Sequence, residues 1–481
     1  MYIVCYSFKK VIGLLLILFC FLLIYSANSN AHQLFKKEPA SINDDIWSIT
    51  NFPYPLFNNK SVSLFSPNSN NKLTSIVTVE KNYKGGWNLL VDGEPFVVKA
   101  VSYSPTKIGL SPDTLPGAQT DWMKRDDNGN GKCDAAYDTW VDSNNNNIKD
   151  PSEKTVGDFA LMKEMGVNAI RLYSSISKAS YVAEEFNKNV LRDLYYSYGI
   201  RVIMGNFFGA YTIGSDAPWS QGTDYTDPIQ REKMLEYVRD QVMDHKDEPY
   251  VLMWLLGNEN EFPGTNSNAG VYLRQYITFL NEAAKLIHQL DPNHPVAISS
   301  WGDYGNRDRL FKYYSELAPD IDIFGINVYH GNTFGNIWKE ITKYIDKPIF
   351  VAEYGADAFA AKGNQRLDFQ GEEDQTAQSE YHRGNWMDIV KHSVEVNESG
   401  PAIGGCAFEW SDEWWKQQKV NESFIHNSRM PWGAPFPDEL GHEEWFGLVG
   451  LNSGKNQVYD DLQRNLREVY FLYKDELWKK K

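Results

Sequence analysis

Two short stretches carry the residue types that acid–base chemistry needs. Trp254-Leu-Leu-Gly-Asn-Glu-Asn260 sets Asn258 and Glu259 just beyond an apolar run that begins at Val251. Pro348-Ile-Phe-Val-Ala-Glu353 repeats the design, with a second glutamate at the end of a second apolar run. A continuous apolar run of this length reads as a strand buried on both faces, as in a parallel sheet. Two carboxylates at two such strand ends are the minimum equipment for breaking a glycosidic bond, and in retaining enzymes they stand about 5.5 Å apart. Glu259 is expected to be the general acid, its pKa raised by the neighbouring negative charge, while Glu353 stays ionised and attacks the anomeric carbon.

Other strand-end residues group with this pair. Arg171 ends the run Val167-Asn-Ala-Ile-Arg171, and an arginine inside a sheet needs a carboxylate partner, for which Glu353 is the natural one. Tyr329 follows Ile326-Asn-Val328, where its hydroxyl is expected to bond the Glu353 carboxylate. Trp410 closes the last strand and is the candidate sugar platform. Tyr103, Asn206, Trp301 and His330 sit at strand ends as weaker candidates, and His330 has no second histidine at metal-ligand spacing.

These residues need a frame that brings strand ends together. Eight apolar runs qualify as strands: 96–103, 167–173, 200–206, 250–256, 295–300, 321–328, 348–353 and 402–410. Helical patterns separate them, including a capping-box-like Thr155-Val-Gly-Asp158 opening a helix that Gly166 closes, and helices from about Pro228, 271–290 and 335–345. A final amphipathic helix is expected from about Tyr459 to Trp478. This alternation predicts an α/β fold, a (β/α)8 TIM barrel, over residues 85–481, with a hairpin around Asp92-Gly93 closing its floor. The alternative doubly wound sheet would want a glycine-rich phosphate turn after the first strand, and none is there.

Composition agrees. The 481 residues are 42% hydrophobic and 14% aromatic, enough for a large core, and the formal charge of -16 argues against nucleic acid or an anionic membrane as partner. Lys9-Lys10, the apolar run Val11–Tyr25 and the small residues to Ala31 form a secretory signal peptide over 1–31; an uncleaved anchor is the alternative. Residues 32–84 read as a linker or N-terminal arm. Beyond the leader, Cys133 and Cys406 are too few for a disulfide framework.

An Asp/Asn-rich insertion, 119–154, follows the first strand. Asp142, Asn144, Asn146, Asp150 and Glu153 occupy positions 1, 3, 5, 9 and 12 of an EF-hand-like loop, with Asn147 at the usual glycine position. Asp126, Asn128, Asn130 and Asp134 repeat positions 1, 3, 5 and 9; position 12 is Tyr137, for which Asp138 is the substitute. The expectation is structural Ca2+ walling the cleft, with no cofactor needed for catalysis.

Trp254-Leu-Leu-Gly-Asn-Glu-Asn260 and Phe350-Val-Ala-Glu-Tyr-Gly-Ala356 resemble the acid/base and nucleophile motifs of the TIM-barrel domain of glycoside hydrolase family 2, a member of the clan of retaining glycosidases with these glutamates on strands four and seven. The resemblance covers roughly residues 85–415. It implies Glu259 as acid/base, Glu353 as nucleophile, and Asn258 as the amide that holds the sugar 2-hydroxyl. The jelly-roll and immunoglobulin-like domains that usually precede this barrel have no counterpart in the roughly 50 irregular residues here. The expected function is a secreted retaining β-glycosidase acting on a β-linked oligo- or polysaccharide, with no obligate protein partner. A β-glucan transglycosidase on the same site and a non-catalytic calcium-dependent carbohydrate-binding protein remain alternatives. Sugar, linkage and exo or endo action are open.

Overall fold

The computed structural model describes residues 74–112, 121–174, 181–361, 371–416, 423–428, 431–451 and 461–479, with side chains from Lys188 onward in the helix that opens at Tyr181. The chain divides into two units. The first, Met1–Ser69, lies outside the described residues, as do the leader and the arm as far as residue 73.

The second unit holds a closed ring of eight parallel strands. In chain order these are Val98–Ser102, Ala169–Leu172, Arg201–Asn206, Val251–Leu256, Val296–Ile298 resuming at Ser300–Trp301, Phe324–Asn327, Ile349–Tyr354 and Ala402–Ala407. Each pairs in parallel with the next, and the eighth returns to the first through Gly404 opposite Val98. The fifth strand meets the sixth on both sides of its break, Ala297 opposite Ile323 and Ser300 opposite Ile326. The expected TIM barrel is the observed fold.

The two-sided burial predicted for Val251–Leu256 follows from this closure. Met253 and Leu255 belong to the cluster that fills the barrel, with Ala100, Ala169, Ile203, Ala297, Phe350 and Cys406. Val251, Trp254 and Leu256 join the layer between strands and helices. All six side chains are buried, and full burial of each large one stabilises by about 1.5–3 kcal/mol. Truncating Leu255 to Ala would cost about 2–5 kcal/mol, because the packed lining cannot collapse around the gap.

The floor is an antiparallel sheet of Val77–Lys81, Trp87–Val91 and Glu94–Pro95. Val77, Leu89 and Val91 enter the barrel-filling cluster from below. The strand Val77–Lys81 lies in the stretch read as an irregular arm, because pairing with Trp87–Val91 gives its backbone partners that local pattern does not reveal.

Helices cover the outside. Pro228–His245 is capped by Asp227, whose carboxylate accepts the N–H of Ile229 and Gln230 at 2.8 and 3.4 Å. Gln241, which breaks its apolar stripe, is buried and donates to the Gly205 carbonyl at 2.7 Å while accepting from Asn206 at 2.8 Å. The helix Asp158–Met165 ends at Gly166 (φ 98°) as expected, since the left-handed cap suits glycine. Its start differs: Gly157 is the N-cap and no side chain caps it, because Asp158 instead takes a fork from Arg464 at 2.8 and 2.9 Å.

That contact also explains the largest departure. In place of one helix from Tyr459, Gln463–Leu466 is a strand, paired with Trp140–Val141 and Val449–Gly450, and the helix starts only at Glu468. Ladder bonds on both edges and the buried Arg464–Asp158 pair outweigh the helical period. The same ladder stitches the insertion to the C-terminal segment, and Trp122, Cys133, Ala135 and Ala136 bury it in the main core.

Candidate active site

The ends of strands two and six converge on one carboxylate at the end of strand seven. Glu353, 6% exposed, receives three donors: Arg171 Nη1 at 3.0 Å and Tyr173 Oη at 2.6 Å on Oε1, and Tyr329 Oη at 2.9 Å on Oε2. Hydrogen bonds to a carboxylate acceptor are the strong ones, so this set fixes the rotamer. Burial, then the charge of Glu353, pushes both phenols well above their ordinary pKa, so they remain donors.

Arg171 organises the centre. It is 1% exposed, lies over the Tyr173 ring at 4.4 Å, and gives Nη1 also to the Ala352 carbonyl at 2.6 Å. Its Nη2 reaches Asn258 Oδ1 at 2.8 Å and Ser299 Oγ at 3.2 Å. Asn327 Nδ2 donates to the same Asn258 oxygen at 3.2 Å. With its oxygen engaged, Asn258 keeps its amide Nδ2 without a protein acceptor among the described residues, and so available to a sugar hydroxyl.

Glu259 sits on a built corner. Gly257 (φ 76°) makes the turn off strand four; a Cβ there would lie 2.6 Å from Asn260 Oδ1, which caps the Asn258 N–H. Glu259 itself is left-handed (φ 52°), an uncommon conformation for a side-chain-bearing residue that persists where surroundings over-determine it. Those surroundings are the bonds from its N–H to the Ser299 carbonyl at 2.9 Å and from the Phe262 N–H to its carbonyl at 2.7 Å. Its pKa stands well above the carboxylate range, first through loss of solvent around the carboxyl and then through the charge of Glu353. Glu259 is half-buried by surface area, and the charge of neighbouring Glu353 disfavours its ionised form in addition to burial. The two carboxyls therefore differ in their surroundings: Glu259 carries a raised pKa, and Glu353 is held by three donors.

The sequence profile described as "Glycosyl hydrolases family 2, TIM barrel domain" matches residues 150–429. The chain belongs to this family. Mannan endo-1,4-beta-mannosidase F of Aspergillus clavatus is 28% identical over 176 residues, 32% of this chain and 37% of that protein. A putative beta-glucuronidase of Formosa agariphila is 25% identical over 266 residues, 50% of this chain and 28% of that protein. The family 2 chain therefore spans less than half the length of these relatives. A solved beta-D-glucuronidase of Dictyoglomus thermophilum superposes with a TM-score of 0.46 at 18% identity, over 84% of this chain and 54% of that one.

Within this family 2 site, Arg171, Asn258, Glu259, Tyr329 and Glu353 come together as their positions in the sequence implied. Tyr173, Asn327 and Ser299 were missed. The signal was available: Tyr173 and Asn327 stand two residues from Arg171 and Tyr329, and period two puts them on the same face of their strands. Trp410 requires correction. It is 1% exposed, packed against Tyr470 at 6.4 Å, with its backbone paired to Ser102 and Val449, so it offers no face to a sugar. Tyr103 is equally structural, bonded to Asp158 at 3.2 Å, and Asn206 serves Gln241. Trp301 and His330 line the rim beside strand five, His330 paired with Asp303 at 2.8 Å.

The two Asp/Asn loops share one internal pattern. Asp126 accepts the N–H groups of Asn130 and Gly131; Asp142 accepts those of Asn146 and Asn147. Asn128 and Asn130 both donate to Asp138, whereas Asn144 and Asn146 both donate to Asp150. Asp134 departs from its expected place: it turns to the Asp127 N–H at 2.9 Å and faces Arg125, leaving Asp138 as the acid of the first loop. Glu153 closes the second loop on the N–H groups of Ser143 and Asp150 at 2.6 and 3.0 Å. Among the described residues, no three His, Cys, Asp or Glu side chains converge as a metal cluster.

Proposed function

We propose that this chain is a retaining β-glycosidase working by double displacement. The observation that carries the reading is the pairing of a Glu353 carboxylate held by Arg171, Tyr173 and Tyr329 with Glu259 at the end of strand four, whose pKa is raised by burial and then by the charge of Glu353. Glu353 attacks the anomeric carbon as Glu259 gives its proton to the leaving oxygen, and the glycosidic C–O bond breaks. Esterification of Glu353 removes its charge, which is the second cause of Glu259's raised pKa. Glu259 is then the stronger acid, ionised and ready to take a proton from water. That water attacks the anomeric carbon, displaces Glu353 and releases sugar of retained configuration. The free amide of Asn258 is suited to the 2-hydroxyl.

The substrate class follows from the relatives' names, which are a mannan endo-mannosidase and a putative glucuronidase; β-linked hexose glycans are the class in which to begin. Export from the cytoplasm belongs to the same proposal and is supported by the leader-like residues 1–31. Proton NMR during hydrolysis of an aryl β-glycoside tests the mechanism: the β-anomer should form first, and first formation of the α-anomer would overturn it. Added acceptor oligosaccharide separates hydrolysis from transglycosylation, since longer products than substrate require a sugar hydroxyl in place of water.

A further inference from the structure

The rim on the proton donor's side carries an exposed aromatic ring, Phe262, beside Trp301, which packs one side against the core and stays half-exposed on the other. Phe262, three residues after Glu259, is 38% exposed, and its ring lies 4.9 Å from that of Trp301 at 55°. Trp301, half-buried, is backed edge-on by Tyr304 at 6.3 Å, itself pinned by Arg309 at 2.6 Å. Asp303 and His330, joined at 2.8 Å, stand beside this surface as polar groups.

The platform is locked to the acid. Glu261, 2% exposed, accepts from Ser300 Oγ at 3.0 Å, from the Trp301 N–H at 3.4 Å and from Tyr314 at 2.5 Å. The Glu259 N–H is bonded to the Ser299 carbonyl at 2.9 Å, just before Trp301 on the same strand. One loop thus fixes both the proton donor and the two rings. Glu259 protonates the leaving oxygen, so surface on its side touches the leaving group and not the sugar that becomes attached to Glu353. Aromatic faces suit the C–H face of a pyranose, and a flanking Asp–His pair suits its hydroxyls.

Resting on the acid/base reading of Glu259, we propose that Phe262 and Trp301 form the binding platform for the first sugar of the leaving group. The natural substrate is then a β-linked glycan cleaved between sugars, not the glycoside of a small alcohol.

The test compares kcat/KM for a β-1,4-linked tetrasaccharide with that for the 2,4-dinitrophenyl β-glycoside of the same sugar, in the manno, gluco and galacto series. Phe262→Ala should lower the tetrasaccharide-to-aryl ratio about tenfold and Trp301→Ala by more, with Phe262→Tyr returning it, because only the tetrasaccharide presents a sugar to the rings. Melting temperatures identify any variant that fails to fold, and exposed Phe262 is the safer site. A ratio unchanged in Phe262→Ala and Trp301→Ala would overturn the platform while leaving the glycosidase reading intact. No turnover of either substrate in any series by the unmodified chain would overturn both.

Discussion

Arg171 Nη1 lies 3.0 Å from Glu353 Oε1, and the two residues are 1% and 6% exposed. A buried pair is weak evidence for stability, but breaking it by removing one partner typically costs about 3–5 kcal/mol because the other charge is left buried. Arg171→Met should therefore lower the melting temperature as well as activity. Tyr173→Phe removes only one of three donors to Glu353 and should leave the melting temperature close to that of the parent while reducing kcat/KM about 10–100-fold, the value of roughly 1.5–3 kcal/mol for a hydrogen bond to a charged group. Thermal denaturation and steady-state kinetics on the pair of variants check the contrast; equal destabilisation would contradict a positioning role for Tyr173.

The raised pKa of Glu259 fixes the sign of the pH dependence. Its proton is needed in the first step, so activity is present below its folded-state pKa and lost as pH rises through it. Because the charge of Glu353 is the second cause of the shift, Glu353→Gln should move the titration of Glu259 to lower pH, observed by carboxyl 13C NMR. A titration that stays in place would show the two groups to be uncoupled.

Asp357, just past strand seven, gives a prediction about folding and not about chemistry. Burial raises its pKa to about 7, although the Phe359 and His442 N–H groups each bond one of its oxygens and pull the other way. The unfolded chain ionises this group near pH 3.9. Between these values the folded state holds the extra proton, so this group's contribution to stability is full below about pH 4 and falls as pH rises to about 7. Asp357→Asn should flatten the decline in melting temperature across that window; an unchanged slope would assign the decline elsewhere.

The architecture was readable from the chain because buried parallel strands and their helices leave periodic traces. Glu259, Glu353 and Arg171 were readable for a related reason: charged residues at the ends of wholly apolar runs have few structural explanations. Trp410 was misassigned because strand position alone cannot tell an inward from an outward side chain. Gln463–Leu466 was misread as helix because the partner that buries it, Trp140–Val141, lies more than 300 residues away. Tyr173 went unnoticed because a tyrosine at a strand end is also ordinary packing material.

Calcium at the insertion remains a proposal, and the shared bonding pattern of its two loops motivates it. Millimolar Ca2+ should raise the melting temperature and EDTA should lower it, with Asp142→Ala and Asp126→Ala each removing part of the response. A melting temperature indifferent to both reagents would show that the loops close on their own hydrogen bonds.

The central claim is that Glu353 forms the bond to sugar. A 2-deoxy-2-fluoro-β-glycosyl fluoride of the sugar that is turned over slows the second step more than the first, so the glycosyl-enzyme accumulates. Peptide mass spectrometry should then find a single glycosyl adduct on Glu353, absent from Glu353→Gln. An adduct on another carboxylate, or steady turnover with no adduct and inverted product, would contradict the account.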